Sequence, residues 1–395
     1  MFTILPLKGY IDQIDGFFCD GISAGLKTNG KPDMGFIYSD TLCDVEAVFT
    51  LNKFQAAPLK HYQRYPKDFK TNFVLINSKN ANALTGEEGI NDIDILFSQL
   101  SQKVNFTNPI MSSTGVIGNR LPMDKLINGA NKFDLNAKNG ENLSLAIMTT
   151  DAYPKSALYE VTLSNGKKFK IGAVAKGAGM INPNLATMLC FIVTDADVPK
   201  NDMKELLTKN SDTTFNAISV DGDTSTNDTV LLLANHKSKA YDKDAFSEAL
   251  RLVMHDMAIA IVSDGEGAKK SVAFEVFGAV SDRDAEIAAK ALSNSLLVKT
   301  ALFGEDPNYG RIASTIGASR IACDETKLTI SYNDIVVYNK GKIVFDKECE
   351  TKAADVLKNP SFKIKCDIGL GNGKFTAYGC DLGYEYVKIN ADYRT

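Results

Sequence analysis

Tryptophan is absent from this chain of 395 residues and histidine occurs only 3 times. No stretch approaches the roughly 20 apolar residues that a membrane-spanning helix needs. Each absence removes a class of function. A zinc site needs grouped Cys or His, yet His61, His236 and His255 stand apart in polar or helical contexts and read as ordinary side chains. The 7 cysteines (Cys19, Cys43, Cys190, Cys323, Cys349, Cys366, Cys380) are odd in number and form no CxxC pair, which fits reduced thiols in a cytosolic protein. A basic surplus is missing too. With 44 Lys and Arg against 48 Asp and Glu, the formal charge of −4 favours a small-metabolite partner over nucleic acid. The opening "MFTILPLKGYIDQIDGFF" has no basic leader followed by an apolar run, which predicts a protein that is unexported, cytoplasmic and unattached to membrane.

Low-complexity linkers, charge blocks and internal repeats are also lacking. At about 150 residues per domain, the length predicts two or three cooperating units. Strand-like runs cover 72–78, 168–175, 187–194, 229–234, 273–280 and 327–338, with helix-like runs between them. In "DKDAFSEALRLVMHDMAIAIV", Phe246, Leu250, Val253, Met257 and Ile261 recur at helical spacing and mark a buried face. "DRDAEIAAKALSNSLLV" opens on an acidic turn that suits a helix N-terminus. Mixed α and β elements, with strands apolar on both faces, predict sheets sandwiched between helix layers. Near the end, "GLGNGK" between two strand-like runs reads as a hairpin or tight loop. No helix follows it, so it is not a dinucleotide fingerprint, and neither a P-loop nor a GxSxG elbow occurs elsewhere.

The stretch "KGAGMINPNLATMLCFIV" (176–193) runs a glycine-rich loop directly into an apolar strand, with Thr187 at the seam. Gly177, Gly179 and Pro183 permit tight turns and fix one φ angle. If the Ala186–Thr187 bond is strained, the Thr187 hydroxyl can attack the preceding carbonyl. The amine so freed then serves as base to its own hydroxyl, an arrangement that needs no histidine. On spacing alone, the simpler reading is a β-branched residue starting a buried strand. An acyl-transfer nucleophile also needs donors for the developing oxyanion, and "MSSTGVIGNRLP" offers the hydroxyls of Ser112, Ser113 and Thr114 beside the unobstructed N–H of Gly115. "MTTDAYPK" gathers Thr149, Thr150, Asp151 and Lys155; a capped turn is the plainer account of either stretch. "SVDGDTSTNDT" (219–229), with Asp221, Asp223 and Asp228, resembles a calcium loop but lacks the glycine at the sixth position and the glutamate at the twelfth, so no metal is expected. Glu266 in "SDGEGAKK" follows an apolar helix, either as a solvated cap loop or as a carboxylate for a substrate ammonium.

Taken together, these stretches resemble the ornithine acetyltransferase family, the glutamate N-acetyltransferases of arginine biosynthesis. The resemblance spans the chain through "KTNGKPDMGFIYSD", "NKFQAAPLK", "INSKNANALTGEEG", "SSTGVIGNRLPMDKL", "MTTDAYPK", "AKGAGMINPNLATML", "SVDGDTSTNDT", "DGEGA", "GEDPNYGRI" and "VKINADYRT". Departures are Lys79, where the family usually has glycine, and Asn182 and Leu185. The resemblance implies an αββα sandwich, layered like the N-terminal-nucleophile hydrolases but connected differently. It implies autocleavage between Ala186 and Thr187 into an α chain (1–186) and a β chain (187–395) that fold as one catalytic unit, usually an α2β2 heterotetramer. Thr187 would carry acetyl from N2-acetyl-L-ornithine to glutamate by a ping-pong route. Thr114 and Gly115 match the family's oxyanion hole, and Thr150, Lys176, Thr187, Glu266, Asn390 and Thr395 match its substrate-binding positions. No cofactor is expected; acetyl-CoA is a co-substrate if the enzyme is bifunctional. The alternative is an N-terminal-nucleophile amidohydrolase or aminopeptidase, which loses the same ester to water.

Overall fold

A computed structural model describes residues 1–182 and 188–392. Ala186, Thr187 and Thr395 lie outside the described residues.

One long strand organises the larger part of the molecule. Met34–Phe49 pairs through its first half with Phe17–Ile22 and through its second half with Thr229–Ala234, and its register with Lys70–Asn77 shifts between Tyr38 and Cys43. The bulge bends the sheet, as an extra unpaired residue does. The nine-stranded sheet runs Thr3–Pro6, Lys155–Thr162, Lys168–Lys176, Leu189–Thr194, Thr229–Ala234, Met34–Phe49, Lys70–Asn77, Ile110–Ser113, with Phe17–Ile22 joined to Met34–Phe49. Inside the bend, Ile37, Val74 and Ile76 from one half share a core with Phe191, Val193, Leu231 and Leu233 from the other, together with Leu143 and Ile147 of the helix Gly140–Ile147. Outside one half lie the helices Lys200–Thr213 and Lys243–Ser263; outside the other lie Gly86–Ser101 and Met123–Ala130. The layering is helix, sheet, sheet, helix. Central strands such as Leu189–Thr194 and Thr229–Ala234 are buried throughout, which explains their continuous apolar sequence.

The second sheet has seven strands, in the order Lys342–Ile343, Ile335–Asn339, Thr329–Tyr332, Ser361–Asp367, Ser271–Ala279, Gly373–Cys380, Ile218–Ser219. One face packs on the helices Asp282–Asn294, Leu296–Phe303, Tyr309–Ala318 and Lys347–Leu357. From its other face, Tyr378 and Cys380 reach the core around Lys243–Ser263. That helix therefore serves both sheets, which is why it is apolar on more than one side. Asp242 starts it by accepting the Ala245 N–H at 2.9 Å.

Three sequence expectations change in detail. "DRDAEIAAKALSNSLLV" forms two helices, because Ser295 turns extended (ψ 112°) and caps the second through Val298 N–H. The run 327–338 is two antiparallel strands that turn at Asn333, a residue with φ of 49°. The strands on either side of "GLGNGK" do not form a hairpin: both pair with Ser271–Ala279, which lies between them. The glycines let the connection pass over the end of that central strand. A Cβ on Gly371 would stand 2.5 Å from the Ala279 carbonyl oxygen, and one on Gly373 2.2 Å from Ser281 backbone atoms.

Candidate active site

The cleft lies where strand ends of the nine-stranded sheet converge. Lys176 closes Lys168–Lys176, Thr114 and Gly115 follow Ile110–Ser113, Asp228 precedes Thr229–Ala234, and Met188 leads into Leu189–Thr194. Six of the residues expected from sequence line this one cleft: Thr114, Gly115, Thr150, Lys176, Glu266 and Asn390. Met188, the neighbour of Thr187, lines it as well.

Gly115 occupies a place no other residue fits. Its φ is +130°, and a Cβ there would stand 2.3 Å from the carbonyl carbon of Lys79 and 2.6 Å from the Asn80 nitrogen. Lys79 itself has φ of +70°, a left-handed conformation that glycine adopts freely, which accounts for the glycine usual at this position. Thr114 N–H donates to Asn77 O, and Val116 N–H to Lys79 O. Behind them, the Asn227 amide donates to Ala81 O at 2.6 Å and Ser113 O at 2.9 Å. Ser113 was a candidate hydroxyl donor, but its Oγ donates to Asn77 Oδ1 at 2.7 Å, and neither Ser112 nor Ser113 lines the cleft.

Charge is packed tightly beneath the floor. Lys155 Nζ, wholly buried, donates to Asp151 Oδ1 at 2.8 Å and to Asp264 Oδ2 at 2.5 Å. Asp151 also accepts the N–H groups of Gly177 at 2.7 Å and Thr149 at 2.9 Å, so it ties the loop after Lys176 to the turn that carries Thr150. "MTTDAYPK" is thus more than a capped turn. Burial on its own would raise the Asp151 pKa. The charges of Lys176 and Lys155 and the donated hydrogen bonds outweigh it and bring the group down to about 2. Asp264 is raised, because burial exceeds the opposing effect of Lys155. Lys176 Nζ stands 3.4 Å from Thr114 Oγ1, on the open side.

Glu266 is 8% exposed, so it is not a solvated cap loop. Its Oε2 accepts the Asn390 amide at 2.7 Å, its N–H donates to Ala178 O, and among the described residues no cation pairs with it. Asn390 belongs to the helix Tyr384–Asp392, which buries none of its residues and contributes Tyr386 to the same cleft.

Sequence reading passed over Asn227, Asp264 and Tyr386, and took Asp228 only as part of the calcium-like stretch 219–229. Asp228 is fully buried, burial raises its pKa well above the ordinary carboxylate range, and its Oδ2 has no hydrogen-bond partner among the described residues. The signal was an acid directly before the apolar strand "TVLLLA", where a buried start makes a charge costly. None of the three histidines lines the cleft.

The layering is the αββα sandwich expected from sequence, and the residues expected at its site meet in one cleft. Residues 18–395 match the model of the ArgJ family. The chain is 58% identical over 396 residues to the arginine biosynthesis bifunctional protein ArgJ of Wolinella succinogenes, covering 100% of both. It is 40% identical to the protein of the same name from Oceanobacillus iheyensis, covering 98% of this chain and 97% of that one. Among solved structures, the ArgJ protein of Bacillus halodurans is 38% identical over 50% of this chain and 96% of its own, with a TM-score of 0.48. The ornithine acetyltransferase of Mycobacterium tuberculosis, complexed with ornithine, is 30% identical over 47% of this chain and 100% of its own, with a TM-score of 0.41. The chain belongs to the ArgJ family, enzymes of acetyl transfer in arginine biosynthesis.

Proposed function

We propose that the chain cleaves itself between Ala186 and Thr187 and then moves acetyl from N2-acetyl-L-ornithine to L-glutamate through an ester on Thr187. The observation that carries this reading is the convergence of Thr114, Gly115, Thr150, Lys176, Glu266 and Asn390 on one cleft that Met188 also lines. In the first half-reaction, the Thr187 hydroxyl adds to the acetyl carbonyl and its proton passes to the Thr187 amine. An α-amino pKa near about 7.7 to 8.0 suits that group to working pH. The C–N bond then breaks, nitrogen takes the proton, and ornithine leaves. In the second half-reaction, the neutral glutamate amine attacks the ester carbonyl, the acyl C–O bond to Thr187 breaks, and the proton leaving the amine returns to the Thr187 oxygen as N-acetylglutamate departs. Gly115 N–H and Thr114 Oγ1 donate to the oxyanion in both steps. Lys176 meets the α-carboxylate that donor and acceptor share, while Glu266, with the Asn390 amide against one oxygen, meets the ammonium end of ornithine. Thr150 and Thr395 complete the substrate contacts.

No resident cofactor enters these steps. The relatives carry "bifunctional" in their name, and we read acetyl-CoA as a second donor to glutamate. The two chains stay together as an α2β2 assembly in the cytoplasm; among the described residues no helix is long and apolar enough to cross a membrane. Acetyl-labelled acetylornithine tests the reading: label is expected in N-acetylglutamate faster than in free acetate. Release as acetate regardless of glutamate would make the enzyme an amidohydrolase. Glutamate with acetyl-CoA, and no acetylornithine, tests the second donor.

A further inference from the structure

The first half of the stretch "SVDGDTSTNDT" lies against the loop that leads to the junction. Asp221 Oδ2 accepts the N–H of Met180 at 2.6 Å, and its Oδ1 accepts the N–H of Ile181 at 2.9 Å. Met180 has φ of +57°, which side-chain-bearing residues seldom adopt unless their surroundings hold them there. Around this anchor the two segments are laced together. Ile181 O accepts Val220 N–H at 2.7 Å and Ser219 Oγ at 3.1 Å, Asn182 Nδ2 donates to Gly222 O at 3.0 Å, and Thr224 Oγ1 donates to Asn182 O at 3.0 Å. Asp223 N–H also donates to Asp221 Oδ1, at 3.3 Å, and a fourth donor comes from elsewhere: Tyr386 Oη, on the helix Tyr384–Asp392, donates to Asp221 Oδ2 at 3.3 Å.

We propose that Asp221 is the positioning residue for self-cleavage: by fixing Met180 and Ile181 it sets the direction in which the chain enters the Ala186–Thr187 junction, and through Tyr386 it makes that direction depend on the docked C-terminal helix. This rests on the self-cleavage reading above. In that step the Thr187 hydroxyl oxygen adds to the Ala186 carbonyl carbon, the C–N bond breaks as the hydroxyl proton passes to nitrogen, and water hydrolyses the ester to a carboxylate and the free hydroxyl. Asp221 exchanges no atom. Its task is to hold the attacking geometry, where small displacements are expensive in rate. A carboxylate receiving three backbone N–H groups and a phenol does this rigidly, because each bond to a charged acceptor is stronger than its neutral counterpart.

The test follows conversion of newly purified full-length chain to two fragments, with thermal unfolding and circular dichroism on the same samples. Asp221→Asn keeps the shape but removes the charge, and is expected to slow conversion at least about tenfold in folded protein. Tyr386→Phe, which loses one donor and keeps the ring, is expected to slow it about threefold. Adding Met180→Gly to Asp221→Asn relieves the left-handed backbone and is expected to recover several-fold of the lost rate, a recovery that a merely structural role would not produce. Wild-type protein that converts beside a folded Asp221→Asn variant that converts as fast overturns the proposal alone. If Asp221→Asn fails to fold, Tyr386→Phe at the wild-type rate overturns it. Wild-type protein that remains one chain overturns the self-cleavage reading itself.

Discussion

In the nine-stranded part, Lys155 lies wholly buried between Asp151 and Asp264, and Lys176, Glu266 and Asp228 are each no more than 8% exposed. Around the seven-stranded sheet, the pairs Lys352–Glu348, Lys358–Asp355 and Lys365–Asp334 stand on the surface. Two buried cations, Lys299 and Lys270, sit at the border, Lys299 donating to Cys380 O at 2.5 Å and Lys270 to Glu305 Oε1 at 2.9 Å. Removing charges from water is expensive, and their mutual attraction returns it only with good geometry and full hydrogen bonding. Fold stability alone gives no reason to bury so many, since the seven-stranded sheet holds its helices with Phe274, Ile330, Leu292 and their apolar neighbours. Buried charge gathers beneath the candidate cleft, while apolar packing dominates the seven-stranded side.

Substitutions that cross this division break or sharpen the contrast. The largest effect is expected from Thr187→Ala, which should remove both fragment formation and acetyl transfer, read by denaturing electrophoresis and the label assay; persistent transfer would move the nucleophile elsewhere. Lys155→Met leaves two carboxylates buried without their cation and should lower stability by about 3–5 kcal/mol in urea unfolding. Ile330→Ala, in the seven-stranded core, should lower it by about 2–4 kcal/mol while the folded fraction still cleaves at the wild-type rate. Asp195, after the strand Leu189–Thr194, has a pKa raised to about 6 because burial disfavours its charge. The fold therefore binds this proton more tightly than the unfolded chain, and the associated stability is present at low pH and lost as pH rises through about 6. Asp195→Asn should accordingly raise stability by roughly 1–2 kcal/mol at pH about 7.5 and change nothing near pH about 4. Lys352→Ala, which breaks an exposed pair screened by solvent, should leave the urea unfolding midpoint where it is.

Legibility in the sequence followed the same division. Strands buried on both faces were readable from apolar runs, and 229–234 was read at its full extent, since periodicity reports burial directly. Sheet order was not readable: nothing local reveals that Ser271–Ala279 inserts between the strands flanking "GLGNGK", because that pairing is set by packing far along the chain. At the cleft, residue types that announce chemistry, such as Thr114 with Gly115 or Glu266 between glycines, were found. Asp264 and Asn227 were not, because each acts by satisfying backbone or side-chain groups distant in sequence, such as Ala152 N–H and Ala81 O.

The strands Lys168–Lys176 and Leu189–Thr194 pair antiparallel, with Lys176 opposite Leu189, on either side of the junction. The cut proposed between Ala186 and Thr187 would leave that ladder intact but turn an intramolecular reunion into a bimolecular one. Folding before the cut depends on one chain; refolding after denaturation depends on two chains meeting, and so on their concentration. The enzyme's durability then becomes a matter of how slowly the sandwich opens rather than of an equilibrium it can revisit.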